Sequence, residues 1–503
     1  MKRKIIALML VLAVVFVATA CNKDKGKSGA LVEITAAHTV LPNSLEPISD
    51  DATGTMTICY HIYDRLVAFD LENNYIAGIA RSWTMIDSRT WEFDINLDDY
   101  IFQNGDKLTM DDIVFSFLRI REIPKQADTG NLIESVTYEG NKLQIKFKVE
   151  NNTLLSRVLT TCVIVNKSYI EAGGDDAIYL NPIGTGPYKV AEFIPGTTVV
   201  LETWDGYPFD KPQIDKITFI GVAENAARYI SVETGQAQFA STLSAFEIEL
   251  GNANPDITTF SGASRRTSCF VFSCARPPFD NVNVRRAICH GIDKEAIRSL
   301  WGGRAPLDSM VFGGYSDMYM VSPGLPHFDL QLAKELLAAE GFDESNPLTI
   351  ELTTYPPPDP GLELFQSNMA SIGVVVTLNV VEFSVFLTYE GSGEFDMIWT
   401  TQLNRGGHPL TDLDRFDYEL LGMRDISHYY DARVMEIIAR MRITTDNQEM
   451  RALITEINEF LGRDVPMFSV FLNPVYCIMA NGLTGVFINP DLVVSFRDAT
   501  YTA

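Results

Sequence analysis

The sequence predicts an α/β protein of about three units, on three observations. At 503 residues and roughly 150 per domain, length alone expects about three. The composition, 46% apolar and 21% charged, is that of a globular chain. Stretches that alternate apolar and polar residues are interleaved with stretches at helical spacing, and no repeat of 20 to 50 residues is visible.

The first cations, Lys2, Arg3 and Lys4, precede an apolar run from Ile5 to Ala20. A positive start, an apolar middle and closing small residues make a secretory signal peptide, 1–20. The run is shorter than the roughly 20 residues that cross a bilayer as a helix. Ala18-Thr19-Ala20-Cys21 resembles the lipobox of bacterial lipoproteins, which implies lipidation of Cys21 and a membrane anchor. Residues 21–30 then read as a flexible, lipid-bearing tether. The formal charge is −25, and without the three early cations it becomes −28. Such a chain repels a phosphate backbone, which excludes nucleic acid as a partner.

Leu41 to Thr55 holds too many turn formers for a helix and reads as an extended loop, followed by an apolar segment, Met56 to Leu66. Trp91 to Leu97 alternates as a half-buried strand. Asn104-Gly105 marks a turn. Thr109 and Asp112 form a capping box that opens a helix with Ile113, Val114, Phe117 and Leu118 on one face, and Pro124 ends it. Lys142 to Val149 alternates again. Strands at Thr198 to Glu202 and Lys216 to Ile220 make the next part β-rich.

Further on, Asp293 and Asp329 are helix N-caps, the second ahead of Leu332, Leu336 and Leu337, with Gly341 as the stop. Leu348 to Leu352 and Val374 to Val380 read as strands. Val434, Ile437, Ile438 and Met441 mark one helix, and Met450, Leu453, Ile454, Ile457, Phe460 and Leu461 another.

Catalytic constellations do not appear. There is no G-x-S-x-G, H-E-x-x-H, P-loop or G-x-G-x-x-G. Gly184-Thr185-Gly186-Pro187-Tyr188 lacks the Lys-Ser/Thr ending of a phosphate loop, so a structural turn is the reading. The six histidines are scattered, and the six cysteines after Cys21 show no ligand spacing and read as buried free thiols. Asp111-Asp112 and Asp412/Asp414 read as caps and solvated surface. No catalytic residue, metal ligand or cofactor is expected.

Four blocks in register carry a resemblance. They are Ile62-Tyr63-Asp64-Arg65-Leu66-Val67 with Ala80-Arg81-Ser82-Trp83; Phe102-Gln103-Asn104-Gly105 with Leu108 to Ser116; Pro182 to Tyr188; and Pro277 to Ile288 with Ile292-Asp293-Lys294. Together they resemble family 5 of the extracytoplasmic solute-binding proteins of ABC transporters, the group of oligopeptide-, dipeptide- and nickel-binding proteins, over about residues 40 to 480.

The resemblance implies a two-lobed Venus-flytrap fold of type II with an extra inserted α/β domain. The first lobe's main domain would be 31–69, 179–266 and 475–503, the insert 70–178, and the second lobe 267–474, with hinges near Ser268 and Pro474. It implies ligand contacts at the first-lobe strand Asp51-Ala52-Thr53 and at Ile398-Trp399-Thr400 in the second. In peptide-binding members an Asp three residues after this Trp pairs with the peptide's ammonium, whereas here the position is Gln402. Either another acid, such as Asp412 or Asp414, supplies the charge, or the ligand is not a free peptide N-terminus; the expectation is that Gln402 shifts specificity toward blocked or non-peptide ligands. The implied function is a monomeric, membrane-tethered receptor on the cell surface or in the periplasm. It would capture a peptide or similar small solute by hinge closure and deliver it to an ABC permease. The other classes in view are an adhesin, chaperone-like or sensory lipoprotein of the same fold, and a binder of a non-peptide solute.

Overall fold

The computed structural model describes residues 31–47, 53–69, 75–123, 130–150, 159, 162–173, 175–301, 321–356, 358–404, 409–417, 425–444, 446–489 and 492–502. The leader, the tether with Cys21, and Asp51 and Ala52 lie outside the described residues, as does Pro124. Residues 32–503 group as one compact unit, and among the described residues no helix is long and apolar enough to cross a membrane.

The strands that position the site are, in chain order, β1 (Glu33–His38), β2 (Ala80–Asp87), β3 (Thr90–Ile95), β4 (Ile133–Glu139), β5 (Lys142–Phe147), β6 (Tyr188–Ile194), β7 (Thr198–Thr203), β8 (Lys216–Gly221), β9 (Phe239–Ala240), β10 (Ile257–Phe272), β11 (Leu348–Thr354), β12 (Val374–Val380), β13 (Met397–Leu403) and β14 (Met467–Ala480). Five helices enter the argument: α1 (Thr53–Ile62), α2 (Met110–Arg119), α3 (Phe383–Ser392), α4 (Ala432–Ile443) and α5 (Asn447–Asp464).

Ten of the strands form one mixed sheet in the order β12-β11-β13-β10-β14-β9-β1-β8-β7-β6. Its middle is the antiparallel pair β10 and β14, of 16 and 14 residues. Toward one edge β1 runs parallel to β8 and β9, over a core that includes Ile34, Tyr188, Leu201, Phe219 and Phe239. Toward the other, β11 runs parallel to β12 and β13, over a separate core with Phe270, Ile350, Leu352 and Phe365. Two cores on one sheet make two lobes. Between them the β10–β14 register shifts at Ala263/Thr267 and again at Ser268/Cys269. There Asn473 is pinned by side chains: Ser264 Oγ donates to its carbonyl at 2.9 Å and Ser268 Oγ to its Oδ1 at 2.9 Å.

A second sheet, β2-β3-β5-β4, has its own core around Phe93, Ile113, Phe117, Leu143 and Ile145. The alternation of β5 puts Leu143, Ile145 and Phe147 inside. Helix α2 covers this core, opened by the expected capping box: Thr109 Oγ1 accepts the Asp112 N–H and Asp112 Oδ2 accepts the Thr109 N–H. Its last residue, Arg119, makes a bidentate pair with Glu46 at 3.0 and 2.6 Å, with both side chains buried.

One local expectation fails. The loop read through Thr55 stops earlier, because Thr53 already opens α1. Thr55, Ile58 and Ile62 recur at helical spacing and are all buried, so burial of that face overrides the turn propensity of the segment. Thr53 is therefore helical and not part of a strand. The glycines of the 184–188 turn are structural: a Cβ on Gly184 or Gly186 would collide with the Ile62 carbonyl, and the Gly186 N–H donates to that carbonyl at 2.9 Å.

Candidate functional site

Where β1 and β9 end, the chain turns away and leaves a cavity of about 400 Å³. Its walls come from four stretches: residues 38–43 after β1, Ser241 and Thr242 after β9, the start of α1 at Gly54 and Thr55, and Pro474 to Cys477 of β14, with Ile488, Leu492 and Val494 closing it. Openings at the carboxyl ends of strands are where α/β folds take ligands.

Each wall is fixed from behind. Arg228, with no exposed surface, donates from Nε to the Ser241 carbonyl at 3.0 Å and from Nη2 to the Thr242 carbonyl at 2.6 Å. Its Nη1 reaches the carbonyls of Val222 and Ala223. This holds Thr242 at φ +57°, a conformation that costs a non-glycine residue about 1 kcal/mol or more. His38 packs against Phe219 and Phe239 at 5.6 and 6.1 Å, with Nδ1 3.0 Å from Ser241 Oγ. Burial, and secondly the charge of Arg228, pull its pKa down to about 4, so the wall is neutral here at pH 7.

His61 does similar work inside α1. Its Nδ1 lies 2.8 Å from the Thr57 carbonyl and its Nε2 accepts the Phe496 N–H at 2.9 Å. A carbonyl only accepts, so the proton sits on Nδ1 and the ring is neutral. Burial and then Arg497 lower its pKa to about 3. With Thr57 Oγ1 accepting the Val494 N–H, α1 holds the C-terminal segment against the cavity.

The second set of expected residues lies on β13. Gln402 and Leu472 both pair with Thr267 of β10, so β13 stands two strand spacings, about 10 Å, from β14. Ile398 and Thr400 are buried. Trp399, also expected at the ligand, is as buried as its neighbours, at 4% exposed, and packs against Phe270 and Phe471 at 4.6 and 6.3 Å. Asp412 is likewise no solvated carboxylate. It is buried, bridged to Arg415 at 2.8 Å and bonded by Asn404 Nδ2 at 2.8 Å. The side chain of Asp414 lies outside the described residues.

The acid beside Gln402 comes from another element. Glu390 of α3 accepts from Thr400 Oγ1 at 3.0 Å and from Gln402 Nε2 at 3.5 Å, both at Oε1. The first bond is firm and the second weak. Burial pushes its pKa up, opposed by the Thr400 bond and the charge of Arg415. Glu390 is the one acid in the helix Phe383–Ser392, a signal that no spacing rule turns into a contact with β13. Arg228 was equally silent. Among the described residues no group of three His, Cys, Asp or Glu side chains is placed to hold a metal ion. The six described cysteines are free, and all but Cys274 are buried.

Two lobes on one continuous sheet, with a cavity against the strands that join them, define a two-lobed binding protein. The model of the bacterial extracellular solute-binding proteins, family 5, matches residues 74–420, more than half of the chain, and the chain belongs to that family. It is 25% identical over 390 residues to the dipeptide-binding protein of Escherichia coli strain K12, covering 69% of this chain and 71% of that one. It is 23% identical over 483 residues to the glutathione-binding protein GsiB of Pectobacterium atrosepticum, covering 91% and 92%. The dipeptide-binding protein of Pseudoalteromonas sp. SM9913, solved with Met-Leu, superposes with a TM-score of 0.81 at 18% identity, covering 93% of this chain and all of that one. Members of the family are extracytoplasmic binding proteins for transported solutes.

Proposed function

We propose that this protein is the membrane-tethered receptor of an ABC importer, that it captures a short peptide or peptide-like solute, and that it hands the solute to the permease unchanged. The observation that carries the reading is the cavity of about 400 Å³ walled by Pro474 to Cys477, on a strand that runs through both lobes. A ligand seated there and also contacted by the second lobe binds the closed state better, which shifts the population toward it.

The domain boundaries follow: 31–69, 179–266 and 475–503 for the first lobe, 70–178 for the insert and 267–474 for the second, hinged near Ser268 and Pro474. Cys21 is the lipidation site, and the receptor works as a monomer. Ile398, Trp399, Thr400 and Gln402 contribute the second-lobe side of the ligand site, and Asp51, Ala52 and Thr53 the first-lobe side.

Gln402 brings an amide where a peptide's ammonium needs an anion, and an unpaired buried ammonium is costly. Glu390, in hydrogen-bond reach of Thr400, supplies that charge, which favours a free amine over a blocked one. Mass spectrometry of the small molecule released on denaturing the purified protein tests the function. A released peptide or amine-bearing solute is the expected result, and a protein that releases nothing and binds no peptide in calorimetry would overturn it.

A further inference from the structure

The cavity has a chemistry of its own. Leu41, Pro474, Val475, Ile488, Leu492 and Val494 supply an apolar part of its wall. Its polar members carry no charge: Ser241 Oγ faces His38, Tyr476 OH donates to the Trp301 carbonyl at 3.4 Å, and His38 Nε2 and Thr39 Oγ1 are buried without a hydrogen bond. A volume of about 400 Å³ is that of a small-molecule site, far larger than one water needs.

Resting on the solute-receptor reading, we infer that this cavity takes an uncharged hydrocarbon group of the ligand, so that the protein selects peptides or peptide-like solutes that carry a branched aliphatic or aromatic side chain. A carboxylate or ammonium placed among Leu41, Val475 and Val494 would lose its water without gaining a counter-ion, since the described lining holds no Asp, Glu, Lys or Arg. An alkyl group gains by the transfer of each methylene from water. The wall is also preorganised, since Arg228 and His61 hold it from behind, and little ordering opposes the entry of such a group.

The test is calorimetric titration of the full chain with three free-amine peptides: trileucine, trialanine and triglutamate. One leucine side chain seated in the cavity favours trileucine over trialanine by about tenfold to fiftyfold, and triglutamate binds more weakly than trileucine by at least as much. Val40→Asp, at a wall residue 70% exposed and so tolerant of change, is expected to cost trileucine at least tenfold. Equal affinity for trialanine or triglutamate overturns the inference and leaves the peptide-receptor reading standing. If none of the three binds, the solute released on denaturation decides: one without a hydrocarbon side chain overturns the inference, and no solute at all overturns the receptor reading with it.

Discussion

Replacing Arg119 by Met takes the guanidinium away from the buried Glu46 carboxylate. The pair is bidentate, at 3.0 and 2.6 Å, and its side chains are 6% and 0% exposed, so water offers little replacement. Breaking such a pair from one side costs about 3–5 kcal/mol. For one cooperative unit the size of residues 32–503 that is a fall of about 3–5 °C in melting temperature, readable by scanning calorimetry. The double variant Arg119→Met with Glu46→Gln removes both charges and should recover part of the loss, because the penalty is a buried charge that has lost its counter-ion and not the absence of attraction. The effect should reach the ligand as well, since Glu46 follows directly on the 38–43 wall of the cavity. A single variant within 2 °C of the parent, or a double variant no more stable than the single, would refute the reasoning.

Three other outcomes follow from the described contacts. His38 and His61 are held neutral, with pKa values lowered to about 4 and about 3. The unfolded chain therefore binds more protons below about 6.5, and stability is full above that pH and falls as pH drops toward 4. The slope is up to about 1.4 kcal/mol per pH unit for each ring, and the melting temperature of His61→Gln should depend less on pH over that window. Glu390→Gln should weaken a free-amine peptide at least tenfold and its N-acetyl form little, measured by calorimetry; because burial raises the Glu390 pKa, peptide binding in the parent should also weaken as acid protonates this carboxyl. An equal loss for both peptides would assign Glu390 to structure alone. Gly184→Ala, which forces a Cβ onto the Ile62 carbonyl, should destabilise by about 2 kcal/mol or more, and an unchanged denaturation midpoint would refute the close-approach reading of that turn.

Local devices were readable because they close within a few residues. The Thr109–Asp112 box, the Asp293 and Asp329 caps and the alternation of β5 are complete inside windows of four to eight positions, and each stands where it was expected. The start of α1 was not, since its face is decided by a core assembled from residues as distant as Phe496. The packing of Trp399 on Phe270 at 4.6 Å, 129 positions away in sequence, is another contact that no local pattern announces. Asp412 looked solvated because nothing local announces that Arg415, one turn on, turns inward with it. The neighbour of Gln402 escaped for the same reason: Glu390 approaches from a helix, and the pairing of helix with strand is a tertiary fact.

Pro474 belongs at once to the cavity wall and to the join between the lobes. It faces Ala263 just where the β10–β14 register first slips, and as a proline it has no N–H to give to the ladder. At its middle the long sheet thus has a residue with no N–H to donate, and beside it the rotatable hydroxyls of Ser264 and Ser268 donate to Asn473. Hydroxyls that rotate can keep their bonds through a small change of twist, and a ligand held in the cavity would press on Pro474 beside them.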